Sequence, residues 1–350
     1  MNEKTGSEGK APETPAAQKT EPEDSLLTMS PSPHVKSNES IAKIMWNVNL
    51  ALAPAALFGI IWFGLPALIN IAVSIIVAIG SEYLVQKIRK VKVTALDGSA
   101  FITGLLLAMC LPPDFPWYMT AFGAFLAIVV AKQSMGGLGY NIFNPAHIGR
   151  AALMVSWPAL MTKWTAIKTS ADVVTSATPL GMAKQQGYAA LISAYGSKSA
   201  LYKALLLGTR NGCIGETCTV LLVLGGIYLI WKGYIKWQVP VCMIGTVGLL
   251  TWAFGGSSGL FTGDPLFHMM AGGLIIGAFF MATDMVTIPI TTKGQIIFAV
   301  GCGVITTLIR LIGGYPEGVC YSILLMNCLT PLIDRLVKPR IYGRGGKQHA

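Results

Sequence analysis

Residues 44–81 carry no charged side chain, an uncharged run of 38 residues. A helix crosses the ~30 Å apolar core of a bilayer in ~20 residues. The run is therefore too long for one crossing and suits two, with Phe63-Gly64-Leu65-Pro66 as the turn between them. A helix pair buried in a soluble domain is the alternative, but similar apolar runs recur along the chain. Composition points the same way, with 53% hydrophobic and 12% charged residues, against about 25% charged in ordinary soluble domains.

The net charge of +10 raises the question of nucleic acid, and the placement of the charges answers it. Lys87, Arg89, Lys90 and Lys92 follow one apolar run, and Lys232 and Lys236 follow another. Arg335, Lys338, Arg340, Arg344 and Lys347 close the chain. Basic residues beside spans mark cytoplasmic loops, and no nucleic-acid-binding pattern accompanies them. Residues 1–40 are rich in Pro, Ser, Glu and Lys, a composition that cannot bury a core. They read as a disordered cytoplasmic tail, and residues 339–350 as a second cytoplasmic tail.

The expected fold is an all-α polytopic membrane protein of about ten transmembrane helices in two inverted five-helix repeats. The spans fall near 44–62, 65–86, 98–111, 116–132 and 146–161, forming a first repeat over 41–161. The second repeat, 215–338, holds spans near 215–231, 238–255, 266–286, 294–312 and 319–337. With the amino terminus inside, the basic loops 87–93, 232–236 and 338–347 lie on the cytoplasmic side. Loops 112–115, 256–265 and 313–318 lie outside and hold no Lys or Arg. Residues 162–214 then form an extracytoplasmic loop. Its Lys163, Lys168, Lys184, Lys198, Lys203 and Arg210 run against the charge rule, which weighs less on a loop of this length. The repeat is suggested by Gly136-Gly137 to Asn144-Pro145 in one half against Gly313-Gly314-Tyr315-Pro316 and Asn327 to Pro331 in the other. Short or Pro/Gly-interrupted spans in matching places mark half-helices around a central site.

Within that loop, Asp172-Val173-Val174-Thr175-Ser176-Ala177-Thr178 stands out. It matches a pattern at which the phosphate of FMN is linked to a threonine hydroxyl, and chance would supply it in roughly one such chain in a thousand. A threonine hydroxyl is a weak nucleophile, so a separate enzyme must activate the flavin. The acceptor segment is expected to be exposed and narrow. Ser176 and Ala177 are small, Asp172 and Thr175 can hold a turn through local backbone amides, and Pro179 stops a helix or strand from running through Thr178. A Ser/Thr-rich solvated loop is the plain alternative.

Further motifs give the heptapeptide its context. These are Ser32-Pro33-His34, Asp97-Gly98-Ser99-Ala100, Leu111-Pro112-Pro113, Gly137-Leu138-Gly139-Tyr140-Asn141 with Phe143-Asn144-Pro145-Ala146, Thr175-Ser176-Ala177-Thr178-Pro179-Leu180, and Ala282-Thr283-Asp284-Met285. With them, residues from about 30 to 342 resemble the D subunits of Rnf complexes, which are ion-translocating ferredoxin:NAD+ oxidoreductases. They are similar too to the related B subunits of sodium-translocating NADH:quinone reductases. Ser176 departs from the glycine of many members and keeps the small size. The chain's length and lack of a long folded amino-terminal extension favour the Rnf type.

The resemblance implies a subunit in the cytoplasmic membrane of a bacterium or archaeon, partnered by Rnf subunits of the A, B, C, E and G types and matured by a flavin transferase. It implies covalent FMN at Thr178, a second, non-covalent flavin (riboflavin) within the bundle, and electron flow coupled to Na+ or H+ transport. A non-redox inverted-repeat transporter is the competing class. For the second flavin, Asn141 and Asn144 offer amides that both donate and accept; both could instead cap the following helix. Asp97 and Asp284 are candidates for an ion path or for support of a flavin, among ionisable groups in or beside spans that include Lys132, Arg150, His268 and Arg310. Cys213 and Cys218 form the closest cysteine pair, open to a disulfide, a metal or neither. No P-loop, nucleotide-binding glycine fingerprint or metalloprotease motif is present, so no NAD or ferredoxin site is expected in this chain.

Overall fold

The computed structural model describes residues 39–164, 178–208, 210–216, 218–256 and 259–339. Asp172, Thr175 and Ser176, and the terminal tails apart from residues 39–40 at one end and 339 at the other, lie outside the described residues. The described residues are mostly helical, with no strand among them.

The uncharged run folds into two helices, α1 (Ile41–Phe63) and α2 (Leu65–Ile88). Ser40 caps the first by accepting from the Lys43 N–H at 3.2 Å. The turn between them is Gly64, whose φ of 75° is a left-handed value that glycine alone adopts freely. α1, α2, α14 (Thr292–Leu311) and α15 (Val319–Leu336) are each long and apolar enough to cross a membrane. Their large outward-facing residues, such as Ile61, Ile76 and Leu325, suit a lipid surface.

Other segments are shorter than the expected spans. α3 (Ser99–Met109) stops ahead of Pro112-Pro113. There the Asn70 amide, from α2, donates to the carbonyls of Pro113 and Phe115 at 2.8 and 2.9 Å, groups that would be costly unpaired in an apolar setting. α4 (Trp117–Leu126) runs into a π-helical turn, Ala127–Gln133. α5 (Pro145–Ser156) ends before Pro158, so the span expected over 146–161 is a 12-residue helix followed by the single turn α6 (Pro158–Met161). α10 (Thr219–Trp231) and α11 (Gln238–Phe254) open the second half.

The span expected over 266–286 is broken. It consists of α12 (Pro265–Met270), a three-residue interruption, and α13 (Leu274–Ile276) running into a second π-helical turn, Gly277–Met281. The break is built by charge. Arg310 donates to the carbonyls of His268 and Ala271, and Arg210 to that of Met270. The Gly273 N–H is taken by the Glu317 carboxylate. Two guanidinium groups and a carboxylate thus replace the hydrogen bonds that a continuous helix would have made.

The segment read as a polar loop contains three short helices, α7 (Pro179–Gln186), α8 (Tyr188–Tyr195) and α9 (Lys198–Leu207). Leu180, Leu191, Leu201 and Leu205 close over Phe267 and Ala271 of the broken segment, a second core apart from that of the bundle. Asp264 fastens this cap. It accepts from the hydroxyls of Tyr188 and Tyr202 and lies 3.2 Å from the Lys198 ammonium. Partial burial opposes its charge, but the two hydroxyls and the ammonium hold its carboxyl below the usual range.

Candidate functional site

Thr178 is the N-cap of α7. Its Oγ1 accepts from the Gly181 N–H at 3.1 Å, and Pro179, with no N–H to leave unpaired, begins the helix. The exposed acceptor expected from the sequence is corrected here, for Thr178 is only 9% exposed. The physical reason is the cap, which folds down onto the broken segment and carries Thr178 to the wall of a cavity. That cavity, of about 740 Å³, is bordered by Arg150, Trp164, Thr178, Tyr315 and Glu317. A small neighbouring pocket shares Trp164, Thr178 and Glu317 and adds Glu216 and Gly272.

A cluster of charge lies beside Thr178. Arg150 of α5 pairs with Glu317 in the turn before α15. Burial works against the Glu317 charge, but Arg150 and the Gly273 N–H hold its carboxyl below the ordinary range. Burial, reinforced by the Glu317 charge, pushes the Glu216 carboxyl up to about 7. Sequence reading singled out neither acid. Glu317 sits in a glycine-containing turn otherwise free of charge, and Glu216 in a short turn just ahead of α10, where the span expected from 215 begins; an acid in each place was the available signal.

Cys213, Glu216 and Glu317 could together offer metal ligands, yet Arg150 already occupies Glu317. Cys213 and Cys218 are both free: the Cys218 thiol points at the Leu206 carbonyl, while Cys213 lies 4.0 Å from Arg150.

A second pocket brings together Asn141, Asn144 and Asp284. Ser99, Lys132, Phe279 and Phe280 line it as well, so both π-helical turns contribute to its wall; such turns are frequent at functional sites. Asn144 does cap α5, its Oδ1 accepting from the Ala146 N–H at 3.0 Å, and its amide also donates to the Met281 carbonyl. Asn141 donates to the Phe143 carbonyl, while its Oδ1, though buried, has no hydrogen-bond partner among the described residues. Asp284 accepts from Thr287 at 3.2 Å.

Asp97 stands one layer behind this pocket. It accepts from Ser99, whose Oγ receives a hydrogen bond from Lys132 at 2.6 Å. Lys132 also pairs with Glu82 at 2.7 Å, both side chains fully buried. Gln86 and Gln133 donate to the other Glu82 oxygen. Sequence reading missed Glu82, although an acid that ends a 38-residue uncharged run was a signal. Of the other ionisable candidates, Arg310 works as a backbone holder at the break, and His268 supplies one of the carbonyls that it holds.

Known proteins match the chain over nearly its whole length. The model of the NQR2, RnfD, RnfE family matches residues 28–343. A protein of Clostridium ljungdahlii, named as the D subunit of a proton-translocating ferredoxin:NAD+ oxidoreductase complex, is 67% identical over 319 residues, 91% of this chain and 96% of the relative. A protein of Acetobacterium woodii, named as the D subunit of a Na+-translocating complex of that kind, is 45% identical over 321 residues, 91% of this chain and 95% of the relative. A third, from Halorhodospira halophila and named as the D subunit of an ion-translocating oxidoreductase complex, is 37% identical over 89% of this chain and 94% of its own length. The chain therefore belongs to the NQR2, RnfD, RnfE family.

Proposed function

We infer that this chain is the D-type membrane subunit of an ion-translocating ferredoxin:NAD+ oxidoreductase, assembled with the other subunits of an Rnf complex in a bacterial membrane. It carries FMN esterified to Thr178 and a second, non-covalent flavin in the pocket at Asn141. Family membership and relatives of that name that match about nine-tenths of the chain support the role. The observation that carries the flavin reading is Thr178 itself, a buried N-cap hydroxyl at the wall of a cavity of about 740 Å³.

The residues around Thr178 fit an esterified flavin phosphate. Cavities of ~300–1,000 Å³ hold ligands of this size. The first turn of α7 offers the Leu180 N–H and a positive dipole end to an anion attached at its cap, beside the Gly181 N–H that already holds the Thr178 oxygen. Trp164 and Tyr315 supply aromatic wall for a planar ring.

The inner pocket fits in its chemistry, because the orphaned Asn141 Oδ1 is an acceptor that a ring N–H would satisfy. Its free volume is only about 90 Å³, so a ring enters as the apolar lining gives way. When bound, the flavins supply the one- and two-electron chemistry between the ferredoxin and NAD+ ends of the complex. The protein's own residues anchor, orient and shield them.

The arrangement is ten membrane segments in two inverted halves, with Thr178 on the extracytoplasmic side. The packing supports the halves: α2 packs on α3 and α4 as α11 packs on α12 and α14, and α4 packs on α5 as α14 does on α15. The basic loops 87–93, 232–236 and 338–347 support the orientation. Na+ or H+ is the coupled ion, and a sodium-dependence assay of ferredoxin-driven NAD+ reduction in vesicles decides between them.

The flavin reading is tested by co-expressing the full chain with a flavin transferase and viewing a denaturing gel under ultraviolet light. A fluorescent band that Thr178→Val abolishes is expected. A band that persists in Thr178→Val overturns the residue, and no band in either favours a solute transporter.

A further inference from the structure

We propose that Arg150 and Glu317 form a charge device for the flavin at Thr178: the Arg150 guanidinium stabilises the negative charge that reduction places on the ring, and Glu317 sets how strongly. This deepens the reading of Thr178 and rests on it.

Three arginines and two glutamates converge behind the cap: Arg150, Arg210 and Arg310 against Glu216 and Glu317. They have different work. Arg210 and Arg310 direct donors to the backbone carbonyls of the helix break and line neither cavity beside Thr178. Arg150 lines the large cavity together with Thr178, and its guanidinium is held by Glu317, which lines that cavity too. Glu317 lines both cavities that Thr178 lines, so the pair shares its cavity wall with the anchoring residue. Arg150 and Glu317 side chains are 10% and 14% exposed. In such a setting a unit charge acts across several ångströms far more strongly than in water.

Two electrons and one proton delivered to a neutral isoalloxazine leave it with one net negative charge. The electrons arrive from the ferredoxin side of the complex and leave towards NAD+. The oxidised ring is neutral, and in that state Glu317 compensates Arg150. In the reduced state the ring competes with Glu317 for the same guanidinium. Removing the Glu317 charge therefore frees Arg150 for the ring and favours reduction, whereas removing the Arg150 charge leaves Glu317 facing the ring and disfavours it. A pair that served only to tether α5 to the turn before α15 would not give effects of opposite sign.

The test uses the full chain, co-expressed with flavin transferase and purified in detergent. The Thr178→Val chain serves as the spectral blank that subtracts non-covalent flavin. The midpoint potential of the covalent flavin is read by spectroelectrochemical titration in wild type, Glu317→Gln and Arg150→Met. Glu317→Gln is expected to raise the potential and Arg150→Met to lower it, each by at least tenfold in the redox equilibrium, about 30 mV for a two-electron couple. If Arg150→Met fails to fold, Arg150→Lys, which keeps the charge, is expected to stay near wild type while Glu317→Gln still shifts. Attached flavin with unchanged potentials, or with shifts of one sign in both variants, overturns the device and leaves the Thr178 reading standing. Absence of covalent flavin from the wild-type chain overturns both.

Discussion

The two cavities are walled in opposite ways. The outer one, beside Thr178, is roomy at about 740 Å³ and is ringed by fixed charge, with Arg150 and Glu317 on its wall and two further arginines holding the broken segment behind it. The inner one, at Asn141, is about 90 Å³, mostly apolar, and charged through Lys132 and Asp284 alone, the first already paired with Glu82. A tethered ligand needs space and an anion-tolerant wall, since the covalent bond supplies the affinity. An untethered one needs complementary edges and close packing. The cavity beside Thr178 therefore suits the attached group proposed for it, and the pocket at Asn141 suits a ligand held by fit.

The sharpest way to break this contrast is at the inner ion pair. Lys132→Met leaves Glu82 buried without its cation, which costs about 3–5 kcal/mol. A large fall in the thermal unfolding midpoint in detergent is expected, recovered in good part by adding Glu82→Gln, while covalent flavin on a gel persists in whatever chain remains folded. At the helix break behind the Thr178 cavity, Arg310→Met strips donors from the His268 and Ala271 carbonyls, a loss of about 1–3 kcal/mol for the buried Ala271 acceptor and less for the part-buried one. The break and the cap should loosen together, so flavin loading at Thr178 is expected to fall with stability; full loading would separate the cap from the break.

A smaller effect separates the two proposed flavin sites. Asn141→Leu removes the orphaned acceptor of the inner pocket. Non-covalent flavin released on denaturation should be held about tenfold more weakly, the order of one hydrogen bond of about 1.4 kcal/mol, with gel fluorescence unchanged.

The smallest expected effect is in pH. The Glu216 carboxyl is raised from 4.5 to about 7 in the folded chain, so folding favours its protonated form. Its contribution to stability is fully present below about 4.5 and is lost as pH rises through about 7. The unfolding midpoint of Glu216→Gln, measured against wild type, should gain ground across that window, and a constant difference would contradict the assignment.

Much of this was legible in the sequence. The turn at Gly64, the two helices beside it and the cap at Asn144 follow from local chemistry, because an uncharged run, a glycine turn and an asparagine before proline act over a few residues; that Asp284 joins Asn141 and Asn144 in one pocket does not. What was not legible depends on distant partners. The break over 271–273 is sustained by Arg310, Arg210 and Glu317, and no apolar pattern announces it. Glu82 and Lys132 look like isolated costs until the π-helical turn brings them together. Thr178 was placed correctly as an element boundary but is 9% exposed rather than open, and the packing of α7 to α9 over Phe267 beside it joins residues far apart in the sequence.

The contrast between the cavities turns on Thr178 anchoring a flavin. The most direct measurement is ultraviolet fluorescence of the denatured full chain after co-expression with a flavin transferase, joined to the mass of the peptide that contains residue 178. A fluorescent wild-type band is expected, with a mass increase on Thr178 equal to one FMN less one water, and neither in Thr178→Val. Flavin found on another residue, or an unmodified Thr178 in a chain exposed to active transferase, would contradict it.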